Sequence, residues 1–235
     1  MAKVFGERSR YLIVSDYCGR VGAILMYFLL LFFLYKFFEI NIFSKTITIV
    51  GFVVSTVLYF PIAYYCVREL ERYTLELKNY KQGRNGEYEI CDELEKLPEE
   101  YLIFQDVKLD SMGNANIDFV VLGPAGIYAI ETKSHSGRAN LEDGTGKRFL
   151  HQTMNGALHL HDYILQTTGK DFFVNPVLVF SRADVRFGLR PVNKVYVIGK
   201  TYLEKLILSG EKSLSENDIL LVRDVLLKVV KEQKC

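Results

Sequence analysis

Apolar and polar positions alternate with three different rhythms along this chain, and each rhythm predicts a different kind of element. Val21–Phe38 runs almost without charge and, at 1.5 Å per residue, would span about 27 Å as a helix. A turn around Asn41–Lys45 separates it from a second apolar run, Thr46–Cys66, of about 31 Å by the same arithmetic. Lys36 lies near the end of the first run, where it can snorkel to an interface, and Pro61 in the second is tolerated in membrane helices. The pair predicts a transmembrane hairpin. The first run begins too late and is too long for a cleaved signal peptide, and two such runs in succession argue against a buried hairpin of a soluble protein.

The helical period continues into residues 67–82, where Leu70, Tyr73, Leu77 and Tyr80 fall at coiled-coil-like spacing. That segment is either a short dimerising stalk or a helix packed on its own domain or on the membrane surface. Gln82-Gly-Arg-Asn-Gly86 is expected to break it and to mark a domain boundary. The predicted organisation is thus an N-terminal segment 1–20, a membrane hairpin 21–66, a stalk 67–85 and a folded domain 86–235.

Within that domain Glu87–Leu97 reads as a helix ended by Pro98, with Ile90, Leu94 and Leu97 on one face. Leu102–Leu109 alternates as a strand and Ser111–Asn114 is a turn. Ser134–Arg148, polar and glycine-rich, is expected to form a long loop. Phe149–Gln166 follows as a second helix, then Val177–Phe180 and Val195–Ile198 as buried strands. Ser215–Asp218 has the form of a capping box that opens a last helix. Gly144-Thr-Gly-Lys147 is no phosphate loop, because Leu141 stands where the leading glycine belongs and Arg148 replaces the Ser/Thr.

The densest chemistry lies between the first strand and that loop. Asn-Ile-Asp-Phe-Val-Val-Leu, Gly-Pro-Ala-Gly and Ile-Tyr-Ala-Ile-Glu-Thr-Lys, residues 116–133, form a hairpin signature. If Pro124 and Ala125 make the turn, paired residues have numbers that sum to 249, so Asp118 lies opposite Glu131 and Val120 faces Ala129. Lys133 shares the face of Glu131. Like charges opposed across a strand pair destabilise it by roughly 0.2–1 kcal/mol. A hard divalent cation, bound by one or two carboxylates plus water, removes the conflict. The lysine would then orient a water and stabilise charge on a phosphate.

Composition narrows the choice little. The 235 residues carry a formal net charge of +1, so no global field announces a nucleic-acid partner. Four scattered cysteines without a Cys-x-x-Cys pair argue against a zinc site and a disulfide framework. Lys/Arg flank the apolar runs at residues 3–20 and 68–84, which places both termini in the cytoplasm.

Gly86-Glu87, Asn116-Ile-Asp118, Gly123-Pro-Ala-Gly126 and Ile130-Glu-Thr-Lys133 together resemble the nuclease-related domain (NERD) of the PD-(D/E)XK, restriction-endonuclease-like superfamily, over roughly residues 86–181. The resemblance implies an α/β restriction-endonuclease-like core (helix, three-stranded meander, helix, strand), here preceded by two transmembrane helices. It implies that Asp118 and Glu131 bind Mg²⁺ (or Mn²⁺), with the Thr132 backbone carbonyl, and that Lys133 positions the attacking water. Glu87 is either an extra acidic ligand or water-orienting group, or a first-turn carboxylate favoured by the helix dipole. Gln152 matches a helix glutamine of such domains, or is simply solvated. His135 and Arg138 are surface residues within reach of phosphate.

The expected activity is a membrane-anchored, cytoplasm-facing, Mg²⁺-dependent phosphodiesterase acting on DNA, with RNA as the other nucleic acid open to it. The partners are the bilayer, a second copy through the stalk, and a regulator required because an ungated nuclease is toxic. The alternative is a catalytically inactive membrane scaffold that binds nucleic acid or protein through the same fold. A transporter is disfavoured, since neither apolar run contains an acidic residue or histidine.

Overall fold

The computed structural model describes residues 1–5, 49–113, 115–138, 141–185 and 189–232, and the isolated positions Gly22, Leu29 and Lys36. The chain divides into two compact units, Met1–Arg8 with Gln82–Cys235, and Ser9–Lys81. In chain order the elements are β1 (Lys3–Phe5), α1 (Ile49–Leu94), β2 (Leu102–Val107), β3 (Ile117–Gly123), β4 (Gly126–Arg138) and α2 (Gly144–Thr168). They continue with β5 (Val174–Asp184), β6 (Pro191–Val192), β7 (Val195–Gly199), α3 (Leu203–Leu208) and α4 (Glu216–Glu232). The helix, three-strand meander, helix, strand order expected from the sequence is the order seen.

One seven-stranded sheet runs β1-β2-β3-β4-β5-β7-β6. Its β2–β3 and β3–β4 pairs are antiparallel, whereas β4–β5 and β5–β7 are parallel. Each face is covered. Ile90, Cys91 and Leu94 of α1, with Leu203, Leu206 and Ile207 of α3, pack on Ile103, Phe119, Val121 and Ile130. Ala157, Leu160 and Ile164 of α2, with Val222, Leu226 and Val229 of α4, pack on Phe104, Val120, Leu122 and Ile127. At about 25 cal/mol per Å² of buried apolar surface, these two layers are the main source of the domain's stability.

Three expectations need correcting. The helix does not break at Gln82–Gly86 but passes through to Leu94. Glycine in a helix interior costs about 1 kcal/mol relative to alanine, yet Gly86 is required there. A Cβ at that position would come within 2.7 Å of Ser134 Cβ and 2.9 Å of Ser181 Oγ, so the glycine lets α1 approach the sheet. The predicted loop Ser134–Arg148 is mostly regular structure. β4 extends to Arg138 because its backbone pairs with β5, with a register shift between Lys133 and Ser136. α2 begins at Gly144, where Asp143 caps it by accepting a 2.6 Å hydrogen bond from Gly146 N–H. Finally β1, unforeseen in the N-terminal segment, pairs parallel with β2.

The capping box at Ser215 forms as expected. Asp218 N–H donates to Ser215 Oγ at 3.2 Å, and Ser215 Oγ donates to Asp218 Oδ2 at 2.6 Å. Most of Val21–Phe38 lies outside the described residues, and for most of Thr46–Cys66 only the helical backbone is described. Among the described residues, no helix is long and apolar enough to cross a membrane.

Candidate active site

The Gly123–Gly126 turn sets the register that brings the charged residues together. The pairs Gly123↔Gly126, Leu122↔Ile127, Val121↔Tyr128, Val120↔Ala129 and Phe119↔Ile130 all obey the sum of 249. Gly123 is fixed by sterics, since a Cβ there would lie 2.2 Å from the Tyr101 ring.

The ladder ends at Phe119↔Ile130, and Asp118 does not simply face Glu131. Its Oδ2 accepts from Thr132 N–H at 2.7 Å and from Thr132 Oγ1 at 2.8 Å. Strand alternation breaks at this point: Ile117 and Val120 pack on the α2 side while Phe119 packs on the α1 side. Thr132 therefore orients Asp118 through its N–H and hydroxyl, a part the sequence did not assign to it.

Glu131 is 7% exposed. Its Oε1 accepts from Lys133 Nζ at 2.6 Å and from Gln152 Nε2 at 2.6 Å. Lys133 also donates to Gln152 Oε1 at 3.4 Å and lies 5.0 Å from the centre of the Phe149 ring. β4 supplies the glutamate and lysine on one face, and α2 supplies the glutamine and the ring above them. Gln152 thus meets Glu131 rather than standing free in solvent.

Burial is the first cause of the electrostatics here. It pushes the Glu131 carboxyl up to about 7, aided by the charge of Asp118 and opposed by Lys133. Asp118 is also raised, by burial above all, against the two hydrogen bonds from Thr132. Glu87, near the end of α1, is raised to about 7 by burial and by the charges of Asp118 and Asp106. Water reaches Glu87, an exposed residue, so its charge is better screened than that of Glu131.

Asp106 was not foreseen. It sits in β2 between the pairs Gln105↔Phe119 and Val107↔Ile117, which sets it across from Asp118. Its φ of 55° is a left-handed conformation that costs a non-glycine residue about 1–3 kcal/mol. Asn116 Nδ2 donates to Asp106 Oδ1. No sequence pattern marks Asp106, since its neighbours read as plain strand. His135 is exposed, with its ring edge-on to Phe149, and the side chain of Arg138 lies outside the described residues.

The donor set suits a hard divalent cation. Among the described residues nothing donates to Asp118 Oδ1 or Glu131 Oε2. The carboxylates are desolvated and mutually repelling, and Mg²⁺ is commonly held by one or two carboxylates plus water and substrate oxygens. No three His, Cys, Asp or Glu side chains among the described residues form a metal-sized group, so the arrangement offers a two-carboxylate site.

Residues 82–181 match the family model of the nuclease-related domain, NERD. The NERD segment runs from the end of α1 to β5 and holds Glu87, Asp118, Glu131, Thr132, Lys133 and Gln152. The matched family is described as a nuclease-related domain, and the match bears on this part of the chain alone. β1, β6, β7, α3 and α4 lie outside it. No curated protein and no solved structure matches the chain.

Proposed function

We propose that the chain is a membrane-anchored, Mg²⁺-dependent nuclease that hydrolyses DNA phosphodiester bonds at a cytoplasm-facing site. The observation that carries this reading is the Asp118–Glu131 carboxylate pair inside the NERD segment, with Lys133 bonded to Glu131. Glu131 and Gln152 hold the Lys133 ammonium in place, so that it can donate to the attacking water or to a phosphate oxygen as charge develops there. Thr132 fixes Asp118, leaving one oxygen of each carboxylate for the cation. When bound, Mg²⁺ supplies Lewis-acid polarisation of a phosphoryl oxygen and lowers the pKa of water. Glu87, titrating near 7, orients water at the edge of the site.

Anchoring rests on the two apolar runs and their Lys/Arg flanks. The pairing of the N-terminal strand also favours a hairpin. β1 pairs with β2, so the chain before and after residues 9–81 belongs to one folded unit. Any crossings of a bilayer within 9–81 must then be even in number. Self-association through residues 67–82 is the proposed oligomeric contact, and sedimentation of the full chain in detergent at rising concentration checks it.

The deciding experiment is cleavage of plasmid, linear duplex and single-stranded DNA, and RNA, by the full chain in detergent with Mg²⁺, Mn²⁺ or EDTA, beside Asp118→Ala and Lys133→Ala. Metal-dependent cutting lost in both variants supports the nuclease. No cutting by the wild type, with Mg²⁺ leaving its melting temperature unchanged, returns the chain to the scaffold reading.

A further inference from the structure

Beside the carboxylate pair is a cavity of about 220 Å³ between α2 and the segment that leads into β3. Its lining includes the apolar Ile117, Ala129 and Gly156 and the polar Asn116, Asn155 and His159. Glu131 and Gln152 belong both to this cavity and to the site. Among the described residues, no lysine or arginine lines it. A phosphate entering there would stand next to the Glu131 carboxylate, with the nearby Lys133 ammonium already bonded to Glu131 and Gln152 and outside the lining. The favoured occupant is therefore uncharged, partly apolar and able to hydrogen-bond at its edges. A nucleobase meets all three requirements.

We propose that this cavity is a nucleobase pocket, so that the strand to be cut enters with one base unpaired and turned out of its stack. The inference rests on the nuclease reading and narrows it to a substrate class: single strands, frayed ends and bulges ahead of intact duplex. The apolar part of the lining receives the base, and the amides of Asn116 and Asn155 and the His159 ring offer it hydrogen-bond partners. A base inside a duplex has to be unstacked and unpaired before it fits, and that cost is least when the base is already unpaired.

Gly156 gives direct control of the pocket. A Cβ added there would lie 3.5 Å from Ile117 Cγ1, an ordinary contact, so a side chain can grow into the cavity from a helix that tolerates it. The test uses the full chain and two readouts. Cleavage with Mg²⁺ compares a single strand, a duplex and a duplex with a one-nucleotide bulge. Binding in EDTA compares a short single strand with one of the same length carrying an abasic site at its centre.

The wild type is expected to cut the single strand and the bulge in preference to duplex, and to bind the abasic strand roughly tenfold more weakly, the scale of one base contact. Gly156→Leu should lower single-strand cleavage by roughly tenfold or more and erase the abasic difference, while the Mg²⁺-induced rise in melting temperature persists. If Gly156→Leu melts early, Gly156→Ala carries the comparison with a smaller effect of the same sign. Equal cutting of all substrates with neutral Gly156 variants would overturn the pocket and leave the nuclease standing. Abasic-sensitive binding without any cutting would keep the pocket and overturn the nuclease. Neither cutting nor binding would overturn both.

Discussion

The two ends of the β3–β4 hairpin are built from the same two strands and obey opposite rules. At the turn, Gly123 fits under the Tyr101 ring, and Ile127 and Leu122 are fully buried. The side chains there are mostly apolar, and the polar ones, the Tyr128 hydroxyl and the Asn175 amide, donate to the Ala125 and Ile127 carbonyls. At the open end the alternation fails, Asp118 turns to Thr132, and Glu131 is buried with its carboxyl raised to about 7. The turn end fixes the register, and the open end uses that register to hold charges that would not assemble otherwise. Stability and chemistry are therefore separable within one hairpin.

The most drastic way to test that separation is at the open end. Lys133→Ala should reduce DNA cleavage by roughly 100-fold or more, the scale of losing one positioned charge stabiliser, with a melting temperature close to wild type. Loss of activity together with early melting would show that Lys133 is structural.

The turn end should respond in the reverse sense. Gly123→Ala drives a Cβ into the Tyr101 ring and is expected to cost about 1–3 kcal/mol in denaturant unfolding, the range for overpacked cores. An unchanged midpoint would mean that the ring moves aside freely.

A pH titration sharpens the comparison further. The folded-state pKa of Glu131 stands above its unfolded value of about 4.5, so the folded protein holds more protons between those values. Without metal, stability should thus fall as pH rises from about 4.5 through about 7. Glu131→Gln should remove a pH-dependent contribution on the order of 3 kcal/mol across that window. Mg²⁺ competes with those protons, so it should raise the melting temperature more at pH 8 than at pH 6. A slope equally steep in the variant would place its origin outside Glu131.

The smallest effect is expected away from both ends. Asp143→Ala removes the cap of α2 and should cost roughly 1 kcal/mol. Gln152, further along the same helix, should then keep most of its hold on Glu131, and cleavage should change less than stability.

The sequence revealed the hairpin well because its information is local: Gly-Pro-Ala-Gly fixes the turn, and period-2 alternation carries the register outward. Ser215 and Asp218 likewise announce their own helix. What stayed hidden depends on distant partners. Gly86 reads as a helix breaker until Ser134 and Ser181 are known to press against it. Ser134–Gly137 reads as loop because its strand character comes from β5. Asp106 looks like any strand residue until its backbone turns left-handed across from Asp118. Thr132 and Gln152 were named from the resemblance, but the bonds each makes were not.

The pairing of Lys3–Phe5 with Leu102–Phe104 bears on the order in which the domain assembles. During synthesis the first strand emerges long before its partner and must wait for it. The entropy of closing so long a loop grows only as the logarithm of its length, so docking stays accessible once the rest of the sheet exists. β1 can therefore pair only after β2 has been made. A ribosome stalled before residue 104 would carry that strand unpaired, and a chain lacking it would leave the β2 backbone open to pairing with a neighbour.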